Sequence, residues 1–352
     1  MQPALKQNPS SPASIPAEWA PHKAIWTAWP WDPEAWFEAL SGAQDEVEAM
    51  IRALSGGDHV KVLACGGGLQ SAKERLKGIA EIFEIPYGDT WLRDTGPIFG
   101  TRGLGGLGAR GKLDLPAPQP PSPSAPIAHL FKFNGWGGKF IYPGDESVNE
   151  KIAAAANIPT QKHDFILEGG SLEFDGNGLC LTTRQCLLNP NRNKGWTETA
   201  ATEALKTALG FEKILWLERG LPADHTDGHI DNLARFVAPG KVVCQHASGA
   251  DDPNAAVLKE IETALRGMNL EVITIPSPGR IDSEVPELQA ASHMNFIIGN
   301  KTVVVPVYNA RGKEAVSALK PLFPGREVVG LPSHAILSGG GSFHCITQQE
   351  PE

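Results

Sequence analysis

The sequence predicts an α/β chain in which one strand-helix-strand unit is used five times around a common centre. Two observations carry that prediction: the unit recurs, and a polar or glycine-rich segment follows the last strand of every copy. A recurrence at roughly 50 to 60 residues points to a pseudo-symmetric ring rather than to two unrelated domains.

In chain order, a tail rich in Pro, Ser and Ala is predicted to be disordered to about Ser14. A Trp-rich segment follows, with Trp19, Trp26, Trp29, Trp31 and Trp36. It reads as core or pocket wall, with a strand at 24–28 and a turn at 30–33. Residues 33–54 are helical, and Gly56-Gly57 is the stop. The first unit is a β-branched strand at 59–65, a helix at 70–83 with Leu76, Ile79 and Ile82 at helical spacing, and a strand at 84–87. Helix then strand returns at 147–157 with 163–167, 196–209 with 213–217, 253–268 with 271–275, and 313–323 with 327–330. Short strands at 179–183, 241–245 and 302–307 lie between them. Segment 101–126, Gly-rich and then Pro-rich, reads as an inserted loop that lengthens the first interval. The expected organisation is a single catalytic domain over residues 1–352.

Composition narrows the function classes. With 352 residues, 41% of them hydrophobic, the chain can bury a large core. A net charge of -9 argues against a nucleic-acid or anionic-membrane surface and mildly favours cationic partners. The five cysteines, Cys65, Cys180, Cys186, Cys244 and Cys345, are spread out and never form C-x-x-C, so neither a disulfide framework nor a zinc knuckle fits. Reduced thiols and a cytoplasmic setting are expected. No apolar run approaches the roughly 20 residues needed to span a bilayer, and the N-terminal segment lacks a charged-then-apolar pattern.

The segments after the units hold the chemistry. They are Gly88-Asp89-Thr90-Trp91-Leu92-Arg93-Asp94, Glu168-Gly169-Gly170-Ser171, Asp224-His225-Thr226-Asp227-Gly228-His229-Ile230-Asp231-Asn232, Ser292-His293-Met294-Asn295, and Gly339-Gly340-Gly341-Ser342-Phe343-His344-Cys345. Cys345 is a candidate nucleophile in its thiolate form, with three glycines ahead of it to expose it and supply backbone donors. His229 and Asp231, two apart, share a face if their segment is extended, and a histidine beside a carboxylate is a natural acid-base. A lone Cys is more often a small buried hydrophobe, a His–Asp pair is often structural, and Asp94 or Glu168 alone would be a turn or cap residue. Together, carboxylates, a Cys and a His suit a planar cation with several N–H donors, a guanidinium. A phosphate fits poorly, because Gly66-Gly67-Gly68 lacks the Lys-Ser or Lys-Thr of a P-loop.

Five motifs in order carry a family resemblance: Trp91-Leu92-Arg93-Asp94-Thr95-Gly96-Pro97, Phe133-Asn134-Gly135-Trp136-Gly137-Gly138, Leu167-Glu168-Gly169-Gly170-Ser171, Gly228-His229-Ile230-Asp231-Asn232, and Gly339 to Gln349. From about Pro16 to Pro351 the chain resembles the agmatine deiminase family of the guanidine-modifying pentein group, to which the peptidylarginine deiminases are related. The resemblance implies a five-bladed α/β propeller and hydrolysis of agmatine to N-carbamoylputrescine and ammonia through a covalent Cys adduct. It implies Cys345 as nucleophile, His229 as acid and base, Asp94 and Asp231 as grips on the guanidinium, and Glu168 as the residue orienting His229. Trp91, Trp136 and Asn295 join Asp94 and Asp231 as expected substrate contacts, and Asn295 is also expected to steady the Cys345 region. It implies no metal or organic cofactor, and a small cationic guanidine as the partner; a homodimer stays open. Departures from the family pattern at His225, Ser342-Phe343 and His293-Met294 bear on the tail-binding end of the pocket. Three rivals stay open: a deiminase or amidinotransferase for another guanidine, a metallohydrolase using Asp224, His225, Asp227, His229 and Asp231, and a non-catalytic binding ring.

Overall fold

The computed structural model describes residues 13–103, 124–281 and 290–352. Over these the chain forms five mixed sheets with one repeated plan. A short strand runs antiparallel to a middle strand, and the middle strand runs parallel to an outer one. Parallel neighbours cannot be joined by a tight turn, so a helix crosses between middle and outer strand each time. The later sheets pair Glu173–Phe174 with Leu179–Thr183 and Lys213–Leu217, Ala234–Ala238 with Lys241–His246 and Glu271–Pro276, and Ile297–Ile298 with Thr302–Val307 and Glu327–Pro332. Their crossover helices are Glu198–Leu209, Ala255–Gly267 and Gly312–Leu319.

The other two sheets have four strands. One aligns Ala13–Ser14, Ile98–Gly103, Ser124–Lys132 and Thr160–Ile166, with helix Val148–Ala155 in the crossover. The other takes strands from both ends of the chain: Thr347–Pro351 runs antiparallel to His22–Ala28, followed by Val60–Ala64 and Glu81–Glu84. Helix Leu40–Leu54 crosses between the first parallel pair and buries Ala43, Val47, Met50, Ile51 and Leu54, an apolar stripe at helical spacing. Among the described residues no helix is long and apolar enough to cross a membrane.

Several expectations shift at their edges. The helix expected at 70–83 ends at Arg75, and a strand occupies Glu81–Glu84. Leu76 and Ile79 still pack on the core, from a turn. The segment expected as an inserted loop, 101–126, begins and ends inside an antiparallel pair that reaches Gly103 and Ser124; its middle, 104–123, lies outside the described residues. Ala13 and Ser14, placed in the expected disordered tail, pair with Arg102 and Thr101. The rest of that tail lies outside the described residues. Trp26, Trp29 and Trp36 are buried, as the Trp-rich segment suggested.

The repeat places the site. Asp94, Glu168, Asp231, Asn295 and Cys345 each come just ahead of the antiparallel strand of a different sheet, those strands beginning at Ile98, Glu173, Ala234, Ile297 and Thr347.

Candidate active site

Cys345 lies on the wall of a cavity of about 240 Å³, between helix His334–Ser338 and the last strand. The three preceding glycines have separate reasons. Gly340 has φ 108°, a conformation that side chains oppose. A Cβ on Gly339 would stand 3.0 Å from the Trp36 ring and 3.1 Å from Trp91, and one on Gly341 would stand 2.6 Å from Trp91 and 3.2 Å from Cys345 Sγ. The backbone carrying the nucleophile therefore lies flat against two indoles.

Asn295 holds the other side. Its Oδ1 accepts the N–H of His344 at 2.9 Å and of Cys345 at 3.2 Å, and its Nδ2 donates to Asn232 Oδ1 and to Cys345 Sγ, both at 3.0 Å. Both amide atoms of Asn295 are thus engaged with the segment that carries Cys345 and with Asn232. The Arg93 N–H donates to the Cys345 carbonyl at 3.1 Å, and its guanidinium donates to Gln348 and Gln349 on the last strand. One short motif thus supplies a wall (Trp91), a clamp (Arg93) and a carboxylate (Asp94).

Asp94 sits on the one-turn helix Leu92–Thr95. Its Oδ2 accepts the Trp136 indole N–H at 2.8 Å and its Oδ1 the Gly170 N–H at 2.8 Å. Trp136 reaches it from a left-handed backbone, φ 52°, in a turn whose Gly137 N–H is capped by Asn134 Oδ1 at 3.0 Å. Such strain persists where the surroundings hold it, as they commonly do at functional sites.

His229 and Asp231 flank the start of the 3₁₀ turn Ile230–Asn232, so the extended segment expected there is absent. They still meet, because the turn brings both toward Gly170. A Cβ on Gly170 would lie 2.6 Å from His229 Nδ1, 2.9 Å from Asp94 Oδ1 and 3.2 Å from Asp231 Oδ2. His229 Nε2 contacts Glu168 Oε2 at 3.0 Å, and its Nδ1 lies 3.7 Å from Asp94 Oδ2. Asp231 Oδ2 contacts His344 Nδ1 at 2.8 Å and the Cys345 thiol at 3.6 Å. Two buried atoms, His229 Nδ1 and Asp231 Oδ1, make no hydrogen bond among the described residues. A buried donor and a buried acceptor left open beside a thiol are what a ligand with N–H groups would complete.

The electrostatics follow. Burial disfavours charge on His229, yet Asp94 and hydrogen bonds with Cys186 and Glu168 lift it well above the usual imidazole range. Burial raises Asp94, with the His229 charge working against it and Glu168 and Asp231 adding to it. Against burial, the His344 hydrogen bond and charge hold Asp231 below the usual carboxylate range. Burial and the carboxylates of Asp231 and Asp94 push the Cys345 thiol well up, so the resting thiol is protonated.

All eight expected residues gather here: Cys345, Asp94, Trp91 and Trp136 line the cavity, and His229, Glu168, Asp231 and Asn295 stand against them. Sequence reasoning missed the partners behind them. Arg192 donates to Glu168 through Nε at 2.9 Å and Nη2 at 3.1 Å, and also holds Asp227. Glu18 receives His344 Nε2 at 3.0 Å and the guanidinium of Arg235. The polar run Asn189–Asn193 was a signal for Arg192; nothing local marked Glu18. The cluster considered as metal ligands does not converge. Asp224 caps Thr226, Asp227 pairs with Lys139 and Arg192, His229 faces Glu168, and Asp231 faces His344. Glu168, Cys186 and His229 do bring donor atoms within 4.8 Å of one another, but the Arg192 guanidinium already supplies a cation to that carboxylate.

Residues 14–351 match the model of the Porphyromonas-type peptidyl-arginine deiminase family. The chain belongs to that family. A curated relative, the agmatine deiminase of Pseudomonas aeruginosa, is 34% identical over 368 residues, covering 96% of this chain and 95% of the relative. Among solved structures, the agmatine deiminase of Enterococcus faecalis superposes with a TM-score of 0.85 at 28% identity, covering 99% of this chain and 100% of the other. A cysteine-to-serine variant of the C. jejuni agmatine deiminase with substrate bound does so with a TM-score of 0.85 at 28% identity, covering 99% of both. The family's fold is thus the five-sheet α/β arrangement described above.

Proposed function

We propose that this chain is a hydrolase that converts agmatine and water into N-carbamoylputrescine and ammonia. The observation that carries the guanidinium half is the convergence of Asp94, Asp231, His229 and Cys345 at Gly170, with one imidazole nitrogen and one carboxylate oxygen left open. The tail half rests on the cavity wall. Its described lining is aromatic and polar, with Phe37, Trp91, Trp136, Phe140, Tyr142 and His225, and contains no Arg or Lys. Free arginine would bring a carboxylate that lacks a cationic partner there, whereas an aliphatic amine suits aromatic faces.

The chemistry follows from the charges. The guanidinium enters between Asp94 and Asp231, its positive charge offsets the repulsion that keeps Cys345 protonated, and the thiol proton leaves to solvent. The thiolate then attacks the central carbon, and the C–N bond to ammonia breaks as His229 delivers a proton to the leaving nitrogen. Water, deprotonated by the now neutral His229, attacks the amidino-thioether, and the C–S bond breaks to return the Cys345 thiolate. Asp94 and Asp231 stay ionised around the cation in both steps. None of these steps calls on a metal or an organic cofactor. Five free cysteines support a reducing, cytoplasmic setting.

The test is incubation with agmatine, free arginine and an arginine peptide, reading ammonia release, with intact mass to detect an adduct on Cys345. Agmatine is expected to be turned over best, and Cys345→Ala to be inactive. Preference for the peptide would replace agmatine as substrate; wild-type-like turnover by Cys345→Ala would remove the covalent mechanism.

A further inference from the structure

We propose that Asp89 is a positioning residue for this reaction: it holds the indoles of Trp36 and Trp91 as one wall, and that wall sets the reach of Cys345 Sγ to the guanidinium carbon. The inference rests on the reading of Cys345 as the nucleophile.

Asp89 lies just ahead of the helix that carries Asp94 and is buried. Two tryptophans from distant parts of the chain donate to its two oxygens: Trp36 Nε1 to Oδ1 at 3.0 Å, and Trp91 Nε1 to Oδ2 at 2.7 Å. Oδ1 also accepts the Thr90 N–H at 2.7 Å. Buried indole N–H groups need acceptors, and a carboxylate offers one on each side. An amide in its place would turn an NH₂ group toward one of the indoles. The two rings stack, with centroids 5.9 Å apart and planes 21° from parallel.

The far side of the rings meets the nucleophile loop. The close approaches at Gly339 and Gly341 leave no room between indole and backbone, so displacement of either ring moves the loop. Asp89 is itself pinned from behind, since Asp145 Oδ1 accepts the N–H of Gly88 at 2.8 Å and of Asp89 at 3.2 Å. A line of contacts therefore runs from Asp145 through Asp89 and the indoles to Gly339–Gly341 and Cys345. Neither Asp89 oxygen lines the cavity, so its action passes through the rings. Misplacing a nucleophile by about 1 Å lowers turnover about 10²-fold.

The experiment compares kcat, KM for agmatine and melting temperature in wild type, Asp89→Asn, Trp36→Phe and the double variant, with Cys345→Ala as reference. Asp89→Asn is expected to lower kcat by about 10- to 100-fold while KM moves by less than about threefold, in protein that melts cooperatively. Trp36→Phe keeps an aromatic face but loses the N–H and part of the ring; it is expected to lower kcat by about three- to tenfold in protein that still melts cooperatively. The double variant is expected to be little worse than Asp89→Asn, because both changes cut the same link. A kcat within about twofold of wild type for Trp36→Phe, or effects that multiply independently in the double variant, would overturn the proposal. Should Asp89→Asn not fold, Trp36→Phe alone still decides. Turnover by Cys345→Ala would fault the nucleophile itself, whereas an inactive Cys345→Ala beside a fully active Trp36→Phe faults only the role of Asp89.

Discussion

Glu168 and Asp94 contact different nitrogens of the His229 ring, and in the proposed mechanism the difference between them sets the path of the proton. Glu168 is tied to Arg192, and against burial the hydrogen bond and charge of His229, with the Arg192 charge, keep it ionised below the usual range. It holds the Nε2 proton in place. Asp94 is raised and makes only a long contact with Nδ1, so the Nδ1 proton is the one available for ammonia. Glu168→Gln removes that anchor, and kcat is expected to fall by about 10²-fold. His229 is raised above its ordinary value and keeps its proton past neutrality, while Cys345 is raised and lacks its thiolate in acid. In wild type, kcat/KM for agmatine should therefore climb toward alkaline pH, where Cys345 ionises, and decline beyond it when His229 loses its proton. In Glu168→Gln the alkaline decline should move to lower pH, because a stabiliser of the imidazolium is gone. A pH–rate profile whose alkaline limb is unmoved would separate Glu168 from His229.

At the scale of elements, the turns do the positioning. The 3₁₀ turn Gly169–Ser171 follows Glu168 directly and donates the Gly170 N–H to Asp94. Its Cα lies where three catalytic candidates meet, so Gly170→Ala would press a methyl into His229, Asp94 and Asp231. That variant is expected to lose at least about 10²-fold in kcat and about 1–3 kcal/mol in stability, since the methyl crowds buried side chains that cannot move apart freely. Near-normal turnover would show that the cluster opens more readily than its packing implies. Elements also explain what was legible. Strands Leu179–Thr183, Lys213–Leu217 and Thr302–Val307 match their expected bounds, because β-branched and apolar runs between turns are strong signals. Strands Glu173–Phe174 and Ile297–Ile298 are two residues long, too short for any alternation to register. Yet those short strands mark the repeat most clearly, since each follows a site segment. The glycines of the last segment were legible as a means of exposing Cys345, but not the indoles they lie against, because Trp36 and Trp91 come from a distant part of the chain.

Across the whole molecule, buried charge links the sheets. Arg235, fully buried, donates to Glu173 Oε2 at 2.8 Å, to Glu18, and to the carbonyls of Met294 at 3.2 Å and Phe296 at 2.5 Å. It joins the third, fourth and fifth sheets to the segment ahead of His22, and Glu18 passes the connection to His344 and Asp231. Arg235→Met would leave two carboxylates buried without their cation, at a cost of about 3–5 kcal/mol in unfolding free energy. Denaturant melts check this, and a change under about 1 kcal/mol would mean that water or rearrangement replaces the arginine. Such partners were illegible because Arg235 and Glu18 lie 217 positions apart, and no local pattern joins residues at that separation.

The same long range governs how activity is acquired. The strand that seats Cys345 pairs with His22–Ala28, and its Glu350 is buried against Lys61 at 2.9 Å and Trp26 at 2.8 Å. Asn295 is the last of the other expected site residues in the chain, so the residues proposed as carboxylate grip and proton donor are all in place before the proposed nucleophile, which is seated last, when the closing strand docks on the first.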